Sequence, residues 1–177
     1  MHYWSETVGA SVFLDRDKIG QVEDSVIDPV NKAVEGFLLE RKSTEIRYRF
    51  LPFTQIKEIK RDSIRLNSKS GIIVLAKDFK KSKILIRELM KKPIIDEKGE
   101  WIGRVVDVAF DENNGILREI IISGSVVDDL WLGRKKMPVL DRVEFSRELI
   151  QIDRDTKEKI IPLQKGLKKL LNMDSSK

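Results

Sequence analysis

The chain has 177 residues, 41% of them hydrophobic and 36% charged, with no cysteine and a formal net charge of +5. Without cysteine there is no disulfide framework, no thiolate-based zinc or iron–sulfur site and no thiol nucleophile, which fits a reducing compartment. The longest apolar run, Ile72 to Ala76, falls far short of the roughly 20 residues that span a bilayer, so the expectation is a cytoplasmic protein of one or two small domains.

The charge is unevenly placed. Residues 1–75 carry twelve basic and eleven acidic side chains, 76–92 seven and two, 93–155 nine and fourteen, and 156–177 six and two. Only five Asn and four Gln accompany these charges, a bias found in proteins that work at high temperature. The N-terminal MHYWSETVGASVF has neither a basic nor an apolar signal region. Its His2, the one histidine of the chain, is expected at a mobile terminus, so no Ser-His-Asp, Cys-His or His-rich metal constellation can be assembled.

An internal repeat organises the rest. Residues 19–37, IGQVEDSVIDPVNKAVEGF, lie without a gap over residues 102–120, IGRVVDVAFDENNGILREI, matching Gly20 with Gly103, Val22 with Val105, Asp24 with Asp107, Asp28 with Asp111 and Asn31 with Asn114. The segment LPFTQIKEIKRDSIRL from Leu51 lies over MPVLDRVEFSRELIQI from Met137, with Pro52 on Pro138 and Ile64 on Ile150. Between these blocks the second copy is three residues longer, an insertion expected in a surface loop.

In the first copy, Asp28-Pro29-Val30-Asn31-Lys32 reads as a turn because Pro presets φ and cannot sit in a central ladder, and Val34 to Glu40 returns. Phe79 to Lys91 holds Ile84, Leu85, Leu89 and Met90 among Lys and Arg before Pro93, which predicts a short linker helix. In the second copy, Ile102, Arg104, Val106, Val108 and Phe110 alternate with Gly103, Val105, Asp107, Ala109 and Asp111, which predicts a strand with the first set inward. Asn113-Asn114-Gly115 tolerates positive φ and predicts a hairpin, with Leu117 to Ser123 returning. At the tail Pro162 suits a first helical position, and Leu163, Leu167, Leu170 and Leu171 form a stripe at i, i+4, i+7 and i+8.

With these features in place, the repeat resembles the PRC-barrel domain, a family that also supplies the cytoplasmic part of the photosynthetic reaction-centre H subunit and the C-terminal domain of the 16S rRNA-processing factor. The resemblance is carried in copy two by KPIIDEKGEWIGRVVDVAFDENNGILREIIIS and GRKKMPVLDRVEFSRELIQI. In copy one SVFLDRDKIGQVEDSVIDPVNKAVEGFLLE and LPFTQIKEIKRDSIRL carry it, and are similar to short stand-alone members of spore-forming bacteria. It implies an all-β chain of two small antiparallel PRC-type barrels in tandem, with six strands each and no general catalytic centre. A short linker helix and a C-terminal amphipathic helix complete it. The expected bounds are 1–75 for the first barrel, 76–92 for the basic linker, 93–155 for the second barrel and 156–177 for the tail.

No cofactor or metal is expected. Asp24 with Asp28, and Asp107 with Asp111, lie at an even spacing that shares one strand face and could form an acid pair or cation site. The competing reading places Asp28 and Asp111 as turn carboxylates accepting backbone N–H groups, with Asp24 and Asp107 solvated or paired with Arg. Asp111 to Gly115 is no calcium loop, because Ile116 and Ile122 stand where an EF-hand needs Gly and Glu. No phosphate-binding glycine motif is present. The expected role is therefore non-enzymatic binding of another protein, with homo-oligomerisation as one form of it. Trp131, in the inserted loop, is a candidate anchor. Lys80, Lys81, Lys83 and Arg87 in the linker and Lys165, Lys168 and Lys169 in the tail are candidate contacts for RNA or the ribosome, through counterion release. The tail with its Leu stripe could instead meet a membrane surface.

Overall fold

The computed structural model describes residues 1–41, 48–68, 71–75, 83–124, 129 and 133–163. Compact units do not follow the repeat boundaries. Unit 1 comprises Met1–Glu88 and Ala109–Leu117, and unit 2 comprises Leu89–Val108 and Arg118–Lys177.

The chain is mostly β. It opens with β1 (His2–Tyr3) and helix α1 (Trp4–Thr7), followed by β2 (Ser11–Leu14), β3 (Asp17–Asp28), β4 (Ala33–Leu39), β5 (Tyr48–Pro52), β6 (Ile56–Lys60), β7 (Ser63–Leu66) and β8 (Ile73–Leu75). The connector contributes β9 (Ile84–Leu85) and helix α2 (Ile86–Leu89). The second copy supplies β10 (Pro93–Asp96), β11 (Trp101–Phe110), β12 (Leu117–Ser123), β13 (Lys135–Pro138), β14 (Glu144–Phe145) and β15 (Ile150–Ile152), then helix α3 (Arg154–Glu158) and β16 (Ile161–Pro162).

Two curled sheets result, and their strand orders coincide position by position. One runs β6-β7-β2-β3-β4-β5-β8 with β9 added on β3; the other runs β14-β15-β10-β11-β12-β13-β16 with β1 added on β11. Pairing is antiparallel with two exceptions: β2 runs parallel to β7, and β10 parallel to β15. An all-antiparallel sheet was expected, and the departure has a topological cause. The last repeat strand returns beside the first one in the same direction, which local hairpin signals cannot reveal.

Both predicted turns are present. In the first, Asp28 accepts the backbone N–H groups of Val30 and Asn31 at 2.8 and 3.0 Å. In the second, Gly115 has φ +73° and its N–H donates to the Asp111 carbonyl at 2.9 Å, while Asp111 N–H donates to the Ile116 carbonyl at 2.9 Å. The facing of β11 differs from the expected alternation. Gly103 and Val105 are buried, Arg104 is exposed, Ile102 and Val106 are half-buried, and Val108, Ala109 and Phe110 are buried in succession. Strand β3 behaves likewise, with register shifts between Val22 and Asp24 and between Val26 and Ile27. Such bulges turn the strand over, so a single alternation phase cannot hold along it.

The linker is not the helix that was expected from Phe79 to Lys91: its described part is the strand β9 followed by the four-residue α2, because Ile84 and Leu85 pair with Ile27 and Val26 of β3. Leu85 thereby joins Val26, Leu38 and Phe50 in the core of unit 1. At the other end Pro162 lies in a strand paired with Lys135, not at a helix start. The rest of the expected tail helix, residues 164–177, lies outside the described residues.

The glycine matched in both copies has different work in each. A Cβ on Gly103 would stand 2.4 Å from Ile122 Cγ2 and 2.7 Å from the Ser123 carbonyl oxygen, whereas on Gly20 the nearest atom is Leu39 Cδ1 at 3.1 Å. Backbone cannot retreat as a Leu methyl can. Gly103→Ala is therefore expected to cost about 1–3 kcal/mol in urea unfolding and Gly20→Ala less than about 1 kcal/mol; equal costs would refute the steric account.

Candidate interaction surfaces

In unit 1 the connector is fastened by charge. Asp24 on β3 is fully buried and its carboxylate accepts from Trp4 Nε1 at 2.9 Å, Arg87 Nε at 2.6 Å and Ser25 N–H at 2.8 Å. The second guanidinium arm of Arg87 donates to Glu23 at 2.8 Å. Burial works against the Arg87 charge, but the hydrogen bonds to Asp24 and Glu23 prevail and raise its pKa above the ordinary value. Lys83 Nζ bonds Glu35 at 2.6 Å. Thus two of the candidate linker contacts, Lys83 and Arg87, are engaged in intramolecular ion pairs. Lys80, Lys81, Trp131, Lys165, Lys168 and Lys169 lie outside the described residues.

The Asp pairs do not converge on one site. Asp24 is in the core, while Asp28 caps its turn, and the backbone N–H of Asn31, opposed by some burial, holds the Asp28 carboxyl below its usual range. Asp111 likewise accepts Asn113 N–H at 2.9 Å, and Asp107 accepts Val108 N–H at 2.9 Å. Among the described residues no three His, Asp or Glu side chains gather as metal ligands. His2 was expected to be mobile, yet it sits in β1 opposite Phe110, with Nε2 3.3 Å from Glu112. Register pairing supplies the order that a terminal position alone does not reveal.

Unit 2 has a charged cleft of about 450 Å³ that includes Asp96, Glu100, Arg154, Lys157 and Glu158. Lys157 Nζ donates to Asp96 at 2.6 Å and to Glu100 at 2.7 Å, and Arg154 Nε to Glu158 at 2.7 Å. These charges compensate one another. The Lys157 hydrogen bond, with those from the Glu100 and Lys98 backbone, lowers the Asp96 pKa from 3.8 to about 2. Since the folded value is depressed, the stabilisation is complete above the unfolded value of 3.8 and vanishes as pH falls through about 2. Asp96→Asn is expected to flatten stability against pH within that window; a profile parallel to that of the parent chain would show that the pair carries no linkage.

A second surface of unit 2 is apolar and was not singled out by the sequence. Trp101, at the head of β11, is 51% exposed and Ile161 on β16 is 50% exposed. Next to them is a cavity of about 360 Å³ lined by Trp101, Ile102, Lys135, Lys157, Ile160 and Pro162. The available signal was the mismatch within the repeat: Trp101 stands where copy one has Lys18. Among the described residues no helix is long and apolar enough to cross a membrane.

A search of curated proteins gives no match to the chain. The PRC-barrel domain model matches residues 81–163, a span that takes in β9, α2 and every strand of the second copy through β16. The chain therefore carries a PRC-barrel domain over residues 81–163.

Proposed function

We propose that the chain is a non-enzymatic, cytoplasmic adaptor or scaffold built from two small PRC-type barrels in tandem, which binds another protein or a second copy of itself. The observation that supports this reading is the common strand order of the two sheets. Duplicating a binding module in one chain places two related surfaces at a fixed high effective concentration, which raises avidity without new contacts. Affinity capture at native expression, with chemical crosslinking, is expected to recover one partner protein or the chain itself in stoichiometric amount. Recovering neither would overturn the proposal.

The RNA or ribosome reading keeps one observation of its own. IIVLAKDFKK from Ile72 and IIPLQKGLKK from Ile160 align without a gap, so linker and tail carry the same basic pattern. Because Lys83 and Arg87 are already paired, this reading rests on other cations of the linker and tail, among them Lys80, Lys81, Lys165, Lys168 and Lys169. It predicts binding that weakens steeply with salt and is lost on charge reversal at Lys80 and Lys81. Salt-insensitive binding, or none, would exclude it.

A further inference from the structure

We propose that the C-terminal tail, residues 164–177, is the resident occupant of the apolar groove beside Trp101. This inference is independent of any external partner, since groove and occupant belong to one chain.

The described chain ends at the groove itself. Pro162 forms part of the cavity wall, and Leu163 N–H donates to the Arg134 carbonyl at 2.7 Å. Residue 164 thus starts at the rim, and a tether this short holds the tail at an effective concentration on the order of millimolar. Beyond Leu163, the residues Leu167, Leu170 and Leu171 fall on one side of a helical wheel, while Lys165, Lys168 and Lys169 fall on the other. That polarity suits the groove. Of its two cations, Lys157 is already held by Asp96 and Glu100, while Trp101, Ile102, Ile160 and Pro162 give the wall its apolar character, and the acidic excess of residues 93–155 favours a basic outer face.

The repeat adds an independent argument. In copy one the segment equivalent to the tail is the connector, which follows the exposed strand β8 and returns to its own unit through Lys83–Glu35 and through Ile84 and Leu85 on β3. In the tail Asn172 stands in place of Ile84, with Met173 in place of Leu85, so the apolar pair is broken at its first position. The corresponding edge of β11, at Ala109 and Phe110, is already taken by His2 and Tyr3 of β1. So the tail has no strand edge of that kind to join. What it has gained is Leu170 and Leu171 where the connector has Ser82 and Lys83, in the same copy that gained Trp101 in place of Lys18. Groove and stripe differ from copy one together, as two halves of one contact would.

Hydrogen exchange on the purified full chain tests this. Amides of residues 164–177 are expected to exchange about tenfold or more slowly in the parent chain than in Trp101→Lys, which restores the copy-one residue at an exposed position, and Leu167→Asp with Leu171→Asp should abolish the same protection. Unchanged protection of β10 and β11 amides certifies that each variant is folded. Equal tail exchange in parent and Trp101→Lys would overturn the proposal. So would protection that grows with protein concentration, which would assign the groove to a second copy, or protection seen only with anionic vesicles, which would assign the tail to a lipid surface.

Discussion

Phe110→Ala is expected to destabilise unit 1 by about 3–5 kcal/mol, the range for truncating a fully buried aromatic residue. Phe110 has no exposed surface. Its ring centroid lies 6.1 Å from that of Phe37 and 6.1 Å from that of Phe53, the latter edge-on at 84°, and 6.5 Å from His2. Phe110 belongs by sequence to the second repeat and by packing to unit 1. The same tip is tied down by backbone bonds, Val34 N–H to the Gly115 carbonyl and Leu117 N–H to the Lys32 carbonyl, each at 2.8 Å. Urea unfolding should show a lowered midpoint. Phe37→Ala combined with Phe110→Ala should cost less than the sum of the single changes, with coupling of about 0.5–1.5 kcal/mol. A single-variant loss below about 1 kcal/mol would mean that the ring is not a core residue of the unit.

The second large effect is expected at Arg87→Ala. Removing one partner of a buried ion pair leaves the other uncompensated, at about 3–5 kcal/mol when both are buried. Asp24 is fully buried while the Arg87 side chain is 44% exposed, so solvent screening brings the expectation down to about 2–3 kcal/mol. Replacing the pair together, Asp24→Asn with Arg87→Met, should recover part of the loss, because no charge is then left in the core. If the double variant is less stable than Arg87→Ala alone, the account of Asp24 as an uncompensated charge fails. Arg87 is also the wrong residue for probing RNA contact, since its loss acts on the fold first.

The sequence sufficed wherever structure is set by neighbours in the chain. Asp28-Pro29 and Asn113-Asn114-Gly115 fix their turns through local φ preferences and side-chain bonds, and the return strand Leu117–Ser123 follows from the second. The repeat itself was legible, and the similarity of IIVLAKDFKK to IIPLQKGLKK was there to be read as well, though it is short and lies in the segments that look most like linker.

Other features depended on contacts between distant positions. A two-residue strand such as β1 or β9 has no periodicity to detect, and it exists because an edge of β11 or β3 awaits it. The parallel return of β7 beside β2 and the bulges that turn β3 over arise from curling a sheet, not from propensity. The fate of the linker cations was decided the same way. As sequence, Lys83 and Arg87 are members of a basic run; in the fold, Arg87 meets Asp24 across 63 positions and Lys83 meets Glu35 across 48. Desolvation makes Asp24 need a cation, and only the tertiary structure puts Asp24 in the core.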